Sequence, residues 1–144
     1  MPTNTRFSAD PAELDRDTVY RWISELSYWS PGRSREVHEA AINGSRSYGV
    51  YDSSTGEQLA FARVVTDGAT FGWLCDVFVA PTGRGRGVGK TLMAGIIDDL
   101  EPLGLKRITL RTRDAHGLYE QFGFEVLDEP ESWMTRMASR ADGT

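Results

Sequence analysis

A chain of 144 residues is long enough to bury one hydrophobic core without disulfides or metals, so we expect a single domain spanning residues 1–144. Its 16 basic and 21 acidic residues give a net charge of −5, which argues against nucleic-acid or membrane partners. The one cysteine, Cys75, excludes an intrachain disulfide, and the chain shows neither a signal-peptide pattern nor a long apolar span; these features predict a cytoplasmic protein.

The N-terminal residues predict an edge strand over residues 5–8, followed by a helix. Asp15 or Asp17 can cap that helix, and the breaker cluster at residues 28–32 ends it. The residues at helical spacing, which should form its buried face, are Val19, Trp22, Ile23 and Leu26.

Ser34 can cap a second helix, which Asn43 and Gly44 end. We expect His38 on this helix to lie in solvent. The residues expected to face inward are Val37, Ala40 and Ala41.

The hydrophobic period then changes to two, which predicts strands over residues 47–51 and 58–66. Asp67 and Gly68 suit a two-residue hairpin turn into a third strand over residues 69–79. Three consecutive antiparallel strands are therefore expected.

A glycine-rich segment follows the third strand and opens a long helix. Gly85, Gly87 and Gly89 lack Cβ atoms, so a ligand can approach the main chain and meet the unpaired N–H groups of the first helical turn. The segment therefore predicts an anion site, most simply for a phosphate or diphosphate. Three basic side chains add positive charge to it: Arg84, Arg86 and Lys90. The helix is indicated by the apolar stripe Val88, Leu92, Met93, Ile96, Ile97 and Leu100.

Two familiar nucleotide-binding loops do not match this segment. A Walker A motif requires glycine where Arg84 stands. A Rossmann G-x-G-x-x-G motif requires glycine where Val88 or Lys90 stands. A phosphate-loop nucleotide hydrolase is therefore disfavoured.

Beyond the central helix, alternation predicts a strand over residues 106–112 and two more over residues 124–127 and 133–137. Asp114 can cap a short intervening helix. Residues 139–144 are expected to fray.

These elements predict an α/β (α+β) fold, in which a mixed, mostly antiparallel sheet of six to seven strands is flanked by about four helices. The crossover helix after Val79 should place the strands on either side of it in parallel. In an open sheet a ligand binds where neighbouring strands part at their carboxyl ends, which here is beside residues 82–89.

Two motifs resemble the signatures of the GNAT superfamily of N-acetyltransferases. R-x-x-G-x-G is present as Arg84, Gly87 and Gly89 directly after a strand, and A-x-x-L-Y-x-x-x-G-F spans residues 115–124. The resemblance implies that acetyl-CoA is the co-substrate and that the loop binds its diphosphate. The residues with this implied role are Arg84, Gly85, Arg86, Gly87, Val88, Gly89 and Lys90. The resemblance also implies that main-chain groups of Phe78 and Val79 hold the acetyl carbonyl and the pantetheine arm, which would extend the sheet like an added strand.

Tyr119 has two interpretations. On spacing alone it is a half-buried aromatic residue on an amphipathic helix. In the family, the tyrosine at this place in the motif often protonates the leaving thiolate, so the resemblance implies that Tyr119 is a general acid. His116, one turn earlier, could be a base, but a polar residue on the outer face is the simpler interpretation.

Asp76 also has two interpretations. An acceptor amine must lose a proton before it attacks a thioester, and either a carboxylate or water must receive that proton. In GNAT proteins the strand before the loop often supplies the base. Asp76 is the one carboxylate within residues 73–79, so it is a candidate base or substrate anchor. Since a charge in an apolar strand must be paired or face a cleft, the alternative is a structural salt bridge to Arg63 or Arg111.

The aromatic residues Tyr28, Trp29 and Trp73 are candidate walls of the acceptor pocket, with core packing as the alternative. Arg33 and Arg35 could favour an acidic acceptor, although solvated surface charges are the simpler interpretation. Many relatives carry Asn at the end of the following strand, where Thr112 or Asp114 can substitute for it.

We therefore expect transfer of an acetyl group from acetyl-CoA to an amine by direct attack, without a metal, and we favour a small-molecule acceptor over a protein. The alternative is a non-catalytic acyl-CoA-binding sensor or interaction module on the same fold. A homodimer is an expectation at the level of the family.

Overall fold

The structure, a computed structural model, describes residues 4–138. Its centre is a five-stranded sheet in which the strands lie in chain order from one edge to the other. The strands are β1 (Thr5–Ser8), β2 (Arg46–Asp52), β3 (Gln58–Thr66), β4 (Phe71–Val79) and β5 (Arg107–Thr109). Strands β1 to β4 pair antiparallel, and β4 and β5 pair in parallel, as the crossover helix predicted. The fraying predicted for residues 139–144 lies outside the described residues.

Four α-helices flank this sheet: α1 (Arg16–Arg21), α2 (Arg35–Asn43), α3 (Val88–Leu100) and α4 (His116–Glu120). The apolar stripe of α3 packs with β2, β3 and β4 in one buried cluster, and a second cluster joins α1 and α2 to β3 and β4. The sheet therefore has an apolar layer on each face, which confirms the predicted α/β class. Within residues 4–138, no helix is both long and apolar enough to cross a membrane.

The predicted count of six to seven strands is wrong for the described residues. Residues 124–127 and 133–137 form no strand, and the strand predicted over residues 106–112 shortens to β5. A three-residue β5 offers little edge for a further strand to pair with, and a turn at Pro130–Ser132 interrupts the segment. Trp133 instead stacks beneath the guanidinium of Arg107, 5.3 Å from the ring centroid.

Helix α1 begins where its cap predicted, because the Asp15 carboxylate accepts a hydrogen bond from the Thr18 N–H at 3.2 Å. After Arg21 the helix widens into a π-helical turn, Trp22–Leu26. The wider turn carries Leu26 away from the apolar stripe, and 56% of its surface is exposed. The prediction that Leu26 is buried was wrong for this reason.

Helix α2 has the predicted cap, in which the Ser34 hydroxyl accepts from the Val37 N–H, but it buries a different face. His38 and Ile42 are buried, whereas Val37 is 56% exposed. The predictions that Val37 and Ala40 face inward and that His38 is solvated were wrong, since Ala40 is exposed as well. The cause is the neighbouring helix, since the His38 ring packs edge-on against Tyr20.

The connection between β3 and β4 takes four residues, 67–70, instead of the predicted two-residue turn. The Asp67 carboxylate accepts hydrogen bonds from the Ala69 and Thr70 N–H groups at 2.9 and 2.8 Å. A side chain that caps the main chain in this way stabilises a wider turn than Asp-Gly alone predicts.

Candidate active site

The sheet opens between β4 and β5. The two strands pair only where Phe71–Trp73 lies opposite Arg107–Thr109, and β4 then continues for six more residues to Val79. Residues 74–79 therefore pair with β3 on one edge and face an opening on the other. The opening leads to the glycine loop, at the carboxyl ends of two parallel strands, where the sequence predicted it.

A β-bulge in β4 lies inside this opening. Phe61 pairs with Phe78 and Arg63 pairs with Cys75, so two residues of β4, Asp76 and Val77, lie opposite one residue of β3. Asp76 has φ 54°, a left-handed conformation that is uncommon for a residue other than glycine. A bulge bends a strand and redirects side chains, and here it directs the Asp76 carboxylate into the acceptor cavity described below.

The main chain of Val79 faces the opening. Ala80 donates its N–H to the Leu59 carbonyl of β3 at 2.8 Å, and peptide groups alternate in direction along a strand. Val79 therefore presents its N–H and C=O on the other edge, whereas Phe78 pairs towards β3. The Phe78 ring stacks on Trp22 in the core, with the ring centroids 5.4 Å apart. Of the two residues predicted to hold the pantetheine arm and the acetyl carbonyl, Val79 has the suitable geometry.

The glycine loop forms a cradle of main-chain groups in front of α3. Gly85 and Gly87 have φ 78° and 71°, and a Cβ atom added to either would meet no atom of the protein within 4 Å. The first helical bond joins the Thr91 N–H to the Gly87 carbonyl at 3.1 Å, so the N–H groups of Val88, Gly89 and Lys90 precede the helical ladder. The open space and the N–H groups together fit a diphosphate.

The charged side chains of the loop differ in their surroundings. Arg84 and Lys90 are exposed, so both are free to extend over an anion in front of the loop. Arg86 instead pairs with Asp52 of β2 at 3.0 Å, and this salt bridge fastens the loop to the sheet. Three of the predicted elements of anion binding, the N–H groups and two cations, thus lie at one place.

Tyr119 of α4 lies on the other side of the opening. Its side chain is buried against Phe124, and burial, reinforced by the neighbouring Tyr28 and Asp114, raises the pKa of Tyr119 to about 12. The hydroxyl therefore keeps its proton throughout the physiological range. Thr112 supports the start of α4, because its hydroxyl accepts from the Ala115 N–H at 3.0 Å; the Asp114 cap that the sequence predicted is not formed.

A cavity of about 700 Å³ adjoins the bulge, and we name it the acceptor cavity. The three predicted aromatic residues, Tyr28, Trp29 and Trp73, all line it, together with Asp76 and Tyr119. The Tyr28 and Trp29 rings meet edge to face with centroids 5.0 Å apart. The structure therefore brings the predicted pocket residues and both predicted catalytic residues to one cavity.

Asp76 is held by four hydrogen bonds from three side chains inside this cavity. It accepts from Trp29 Nε1 at 2.8 Å, from Arg33 Nη1 and Nη2 at 2.7 and 3.2 Å, and from Arg63 Nε at 2.7 Å. Burial by itself would raise the pKa of Asp76, but the hydrogen bonds and charges of the two arginines outweigh it and hold the pKa below its ordinary value. These contacts favour the salt-bridge interpretation of Asp76. Its cationic partners are Arg63, which the sequence suggested, and Arg33, whereas Arg111 is not a partner.

Sequence reasoning missed the role of Arg33, which it placed in solvent. The Arg33 side chain is 14% exposed, and it reaches Asp76 from the loop between α1 and α2. No local pattern links two residues 43 positions apart. One indication of such a contact was present in the sequence. Burying an unpaired carboxylate is unfavourable, so Asp76 requires cationic partners from elsewhere in the chain.

The remaining reactive side chains do not form a second centre. His116 lines a separate groove of about 770 Å³ beside β5, which Tyr119 also borders. Burial raises the pKa of the Cys75 thiol to about 11, so this thiol is a poor nucleophile at neutral pH. Among residues 4–138, no three His, Cys, Asp or Glu side chains lie close enough together to hold a metal ion.

Comparison with known proteins identifies the family to which this chain belongs. Residues 16–124 match the model of the acetyltransferase (GNAT) family. A crystal structure of a GNAT-family protein from Xanthomonas campestris pv. campestris is 38% identical, covers 96% of both chains and aligns with a TM-score of 0.89.

Two curated relatives have named activities. Serotonin N-acetyltransferase 2 of Oryza sativa subsp. japonica is 33% identical over 67% of this chain and 50% of its own. The ribosomal protein bS18 alanine N-acetyltransferase of Haemophilus influenzae is 27% identical over 74% of this chain and 82% of its own. The acceptors that these two names give, serotonin and an alanine of a ribosomal protein, differ in kind.

Proposed function

Because the chain belongs to the GNAT acetyltransferase family, whose members take the acetyl group from acetyl-CoA, we propose that it acetylates the amine of a small molecule. The observation that carries this proposal is the opening between β4 and β5, with the main-chain cradle of the glycine loop at one side and Tyr119 at the other. The acceptor cavity, at about 700 Å³, is of the size that small-molecule sites usually have.

Binding and orientation come from the main chain. The N–H groups of Val88, Gly89 and Lys90 would hold the diphosphate, and the gap-facing groups of Val79 would pair with the pantetheine amides as a neighbouring strand does. Acetyl-CoA supplies the reactive carbonyl. Fixing it beside the acceptor cavity converts an encounter of two solutes into a reaction within one complex, which lowers the entropic part of the barrier.

Tyr119 would act at the sulfur. As the new C–N bond forms and the C–S bond breaks, negative charge develops on the sulfur, and the Tyr119 hydroxyl can donate a hydrogen bond or a proton to it. A thiol titrates near pH 8.5, well below a phenol of pKa about 12, so stabilisation of the thiolate by a hydrogen bond is the larger part of this role.

The proton of the amine would leave to solvent. Asp76 has a lowered pKa and already accepts four hydrogen bonds from three side chains, so it is a weak base, and its role is to fix Arg33, Arg63 and Trp29. The positive charge of the two arginines beside the cavity favours the uncharged form of a bound amine, which is the form that attacks. Water at the cavity mouth then takes the proton.

Release of the CoA thiol with a panel of primary amines tests this proposal. We expect turnover with the wild type and a loss of about a hundredfold in kcat for Tyr119→Phe, with the KM for acetyl-CoA little changed. Tyr51→Phe is the matched control, because Tyr51 is another buried tyrosine but lies in β2. Binding of CoA without turnover of any amine would overturn the proposal in favour of a non-catalytic CoA-binding module.

A further inference from the structure

The charge of the acceptor cavity is opposite to that of the whole chain. Four guanidinium groups and two carboxylates line the cavity, an excess of two positive charges, whereas the chain carries −5. The arginines are Arg33, Arg63, Arg111 and Arg113, and the carboxylates are Asp76 and Asp114. A cavity with this charge attracts anions and disfavours compounds whose only charge is a protonated amine.

Two of the arginines form a fixed positive wall. Arg33 and Arg63 share the single carboxylate of Asp76, and each of their side chains is 14% exposed. Further hydrogen bonds hold them in place, from Arg33 to the Ser30 hydroxyl at 2.9 Å and from Arg63 to the Ser45 hydroxyl at 3.0 Å. One carboxylate balances one of the two cations, so this wall retains a net positive charge.

The other two arginines lie across the cavity, on the segment that follows β5. Within residues 4–138, neither Arg111 nor Arg113 has a carboxylate oxygen within 4.0 Å. The Arg113 guanidinium lies over the Tyr28 ring, 3.7 Å from the ring centroid. The main-chain N–H of Arg113 also donates a hydrogen bond to the Tyr28 hydroxyl at 3.3 Å. Stacking fixes the plane of the guanidinium and leaves its edge available to the two oxygens of an oxyanion.

The diphosphate of acetyl-CoA does not account for this charge. The proposed diphosphate cradle is formed by residues 84–90, and none of these residues lines the acceptor cavity. Arg111 and Arg113 therefore lie outside the cradle, on the side of the other substrate.

We propose that the acceptor carries an acidic group, a carboxylate or a phosphate, in addition to the amine, and that Arg111 and Arg113 bind that group. This inference rests on the proposed acetyl transfer and names its substrate class as amino acids or phosphorylated amines. The acidic group pairs with these two guanidinium groups, which have no carboxylate partner among the described residues, and the amine then faces the opening between β4 and β5.

Matched pairs of acceptors test the substrate class. Phenylalanine is compared with phenethylamine, 4-aminobutyrate with butylamine, and O-phosphoethanolamine with ethanolamine, using kcat/KM for release of the CoA thiol. We expect the acidic member of at least one pair to be favoured by about ten- to a hundredfold, the factor of a charge-assisted hydrogen bond. The carboxylate pairs and the phosphate pair show which acidic group is recognised.

Two variants test whether the arginines of the cavity cause the preference for acidic acceptors. Arg111→Gln and Arg113→Gln should each lower the ratio of kcat/KM between acidic and neutral members about tenfold. Arg21→Gln is the control, because Arg21 is an exposed arginine on α1 that does not line the cavity. An equal fall in Arg21→Gln, or no fall in either cavity variant, overturns the assignment to Arg111 and Arg113.

A binding measurement separates this inference from the proposed function. Calorimetry of the CoA complex compares N-acetylphenylalanine with N-acetylphenethylamine, and it needs no turnover. Turnover without preference for acids overturns the inference and leaves acetyl transfer standing. If no amine is acetylated, the proposed function fails, and equal affinities in calorimetry then overturn the inference as well.

Discussion

The glycine loop and the acceptor cavity lie on two sides of one opening, but they are built differently. The loop occupies eight consecutive positions, 83–90, and the groups that we propose bind the diphosphate are main-chain N–H groups at the start of α3. The cavity is assembled from side chains of four separate regions: the loop that follows the first helix, strands β3 and β4, the segment after β5, and helix α4. Main-chain binding is insensitive to most side-chain changes, whereas the cavity depends on a few charged contacts. We infer that the loop can stay constant while the cavity changes its substrate.

The largest expected effect tests the charged contacts of the cavity. Asp76→Ala leaves the Arg33 and Arg63 guanidinium groups buried together without an anion, which should lower the free energy of unfolding by about 3–5 kcal/mol. Urea denaturation at pH 7 measures it. Because the pKa of Asp76 is lowered, this stabilisation should persist above about pH 4 and be lost as the pH falls further.

Asp17→Ala is the control for that prediction. Asp17 also pairs with an arginine, Arg35 at 2.9 Å, but its side chain is 86% exposed. Exposed pairs contribute about 0–1 kcal/mol, so the free energy of unfolding should hardly change. Similar losses for Asp17→Ala and Asp76→Ala would contradict the view that the buried cluster supports the cavity.

The next effect tests the main-chain cradle of the loop. Gly87→Ala forces an L-residue into a left-handed conformation and places a methyl group where the diphosphate would lie. Calorimetry should show a loss of about ten- to a hundredfold in affinity for CoA, the factor of one displaced charge-assisted hydrogen bond.

Gly104→Ala is the control for Gly87→Ala, because the two glycines have the same left-handed backbone conformation. Gly104 has φ 64°, equally open surroundings and a position beyond the far end of α3. Both variants should lose about 1–2 kcal/mol of stability, but Gly104→Ala should bind CoA like the wild type. Equal CoA affinity of the two variants would show that the cradle is not the binding site.

These two regions differed in how far the sequence could predict them. The strand, the loop and α3 are contiguous, so hydrophobic periodicity and glycine spacing indicated all three, and residues 83–90 lie where they were expected. The Asp76 cluster depends on Arg33, which is distant in sequence, so only the need for a counter-charge was visible. The buried face of α2 was missed because the choice between Val37 and His38 depends on Tyr20 of another helix.

A smaller effect concerns Tyr119, which lies between the two regions. The kcat/KM of the wild type should rise with pH as the acceptor amine loses its proton. Because burial raises the pKa of Tyr119 to about 12, the acid form persists well above pH 10, and no alkaline fall should appear up to pH 10.5. An ordinary tyrosine would begin to ionise near pH 10. A bell-shaped profile that disappears in Tyr119→Phe would contradict the raised pKa.

The smallest effect concerns His38, behind the cavity. Neither ring nitrogen of His38 has a hydrogen-bond partner among the described residues, so His38→Leu should change the free energy of unfolding at pH 7 by less than about 1 kcal/mol. Burial, and then the charge of Arg33, lower the pKa of His38. The wild type should therefore lose stability as the pH falls below 6.5, and His38→Leu should lose less.

Urea denaturation at pH 7 and pH 5 measures this difference. His116→Leu is the control, because His116 is exposed and its removal should leave the acid dependence unchanged. Parallel losses in the wild type and His38→Leu would show that His38 does not cause the acid sensitivity.

The short pairing of β4 with β5 has a consequence for how long the protein survives in a cell. Among the described residues, β4 and β5 pair over only three residues each, and α4 and Tyr119 follow β5 in the chain. Acetyl-CoA bound between the two strands would add hydrogen bonds to them. At a concentration of one hundred times its Kd, it would raise the free energy of unfolding by about 2.7 kcal/mol. Proteases that cleave the unfolded chain would then degrade the ligand-free form faster than the complex.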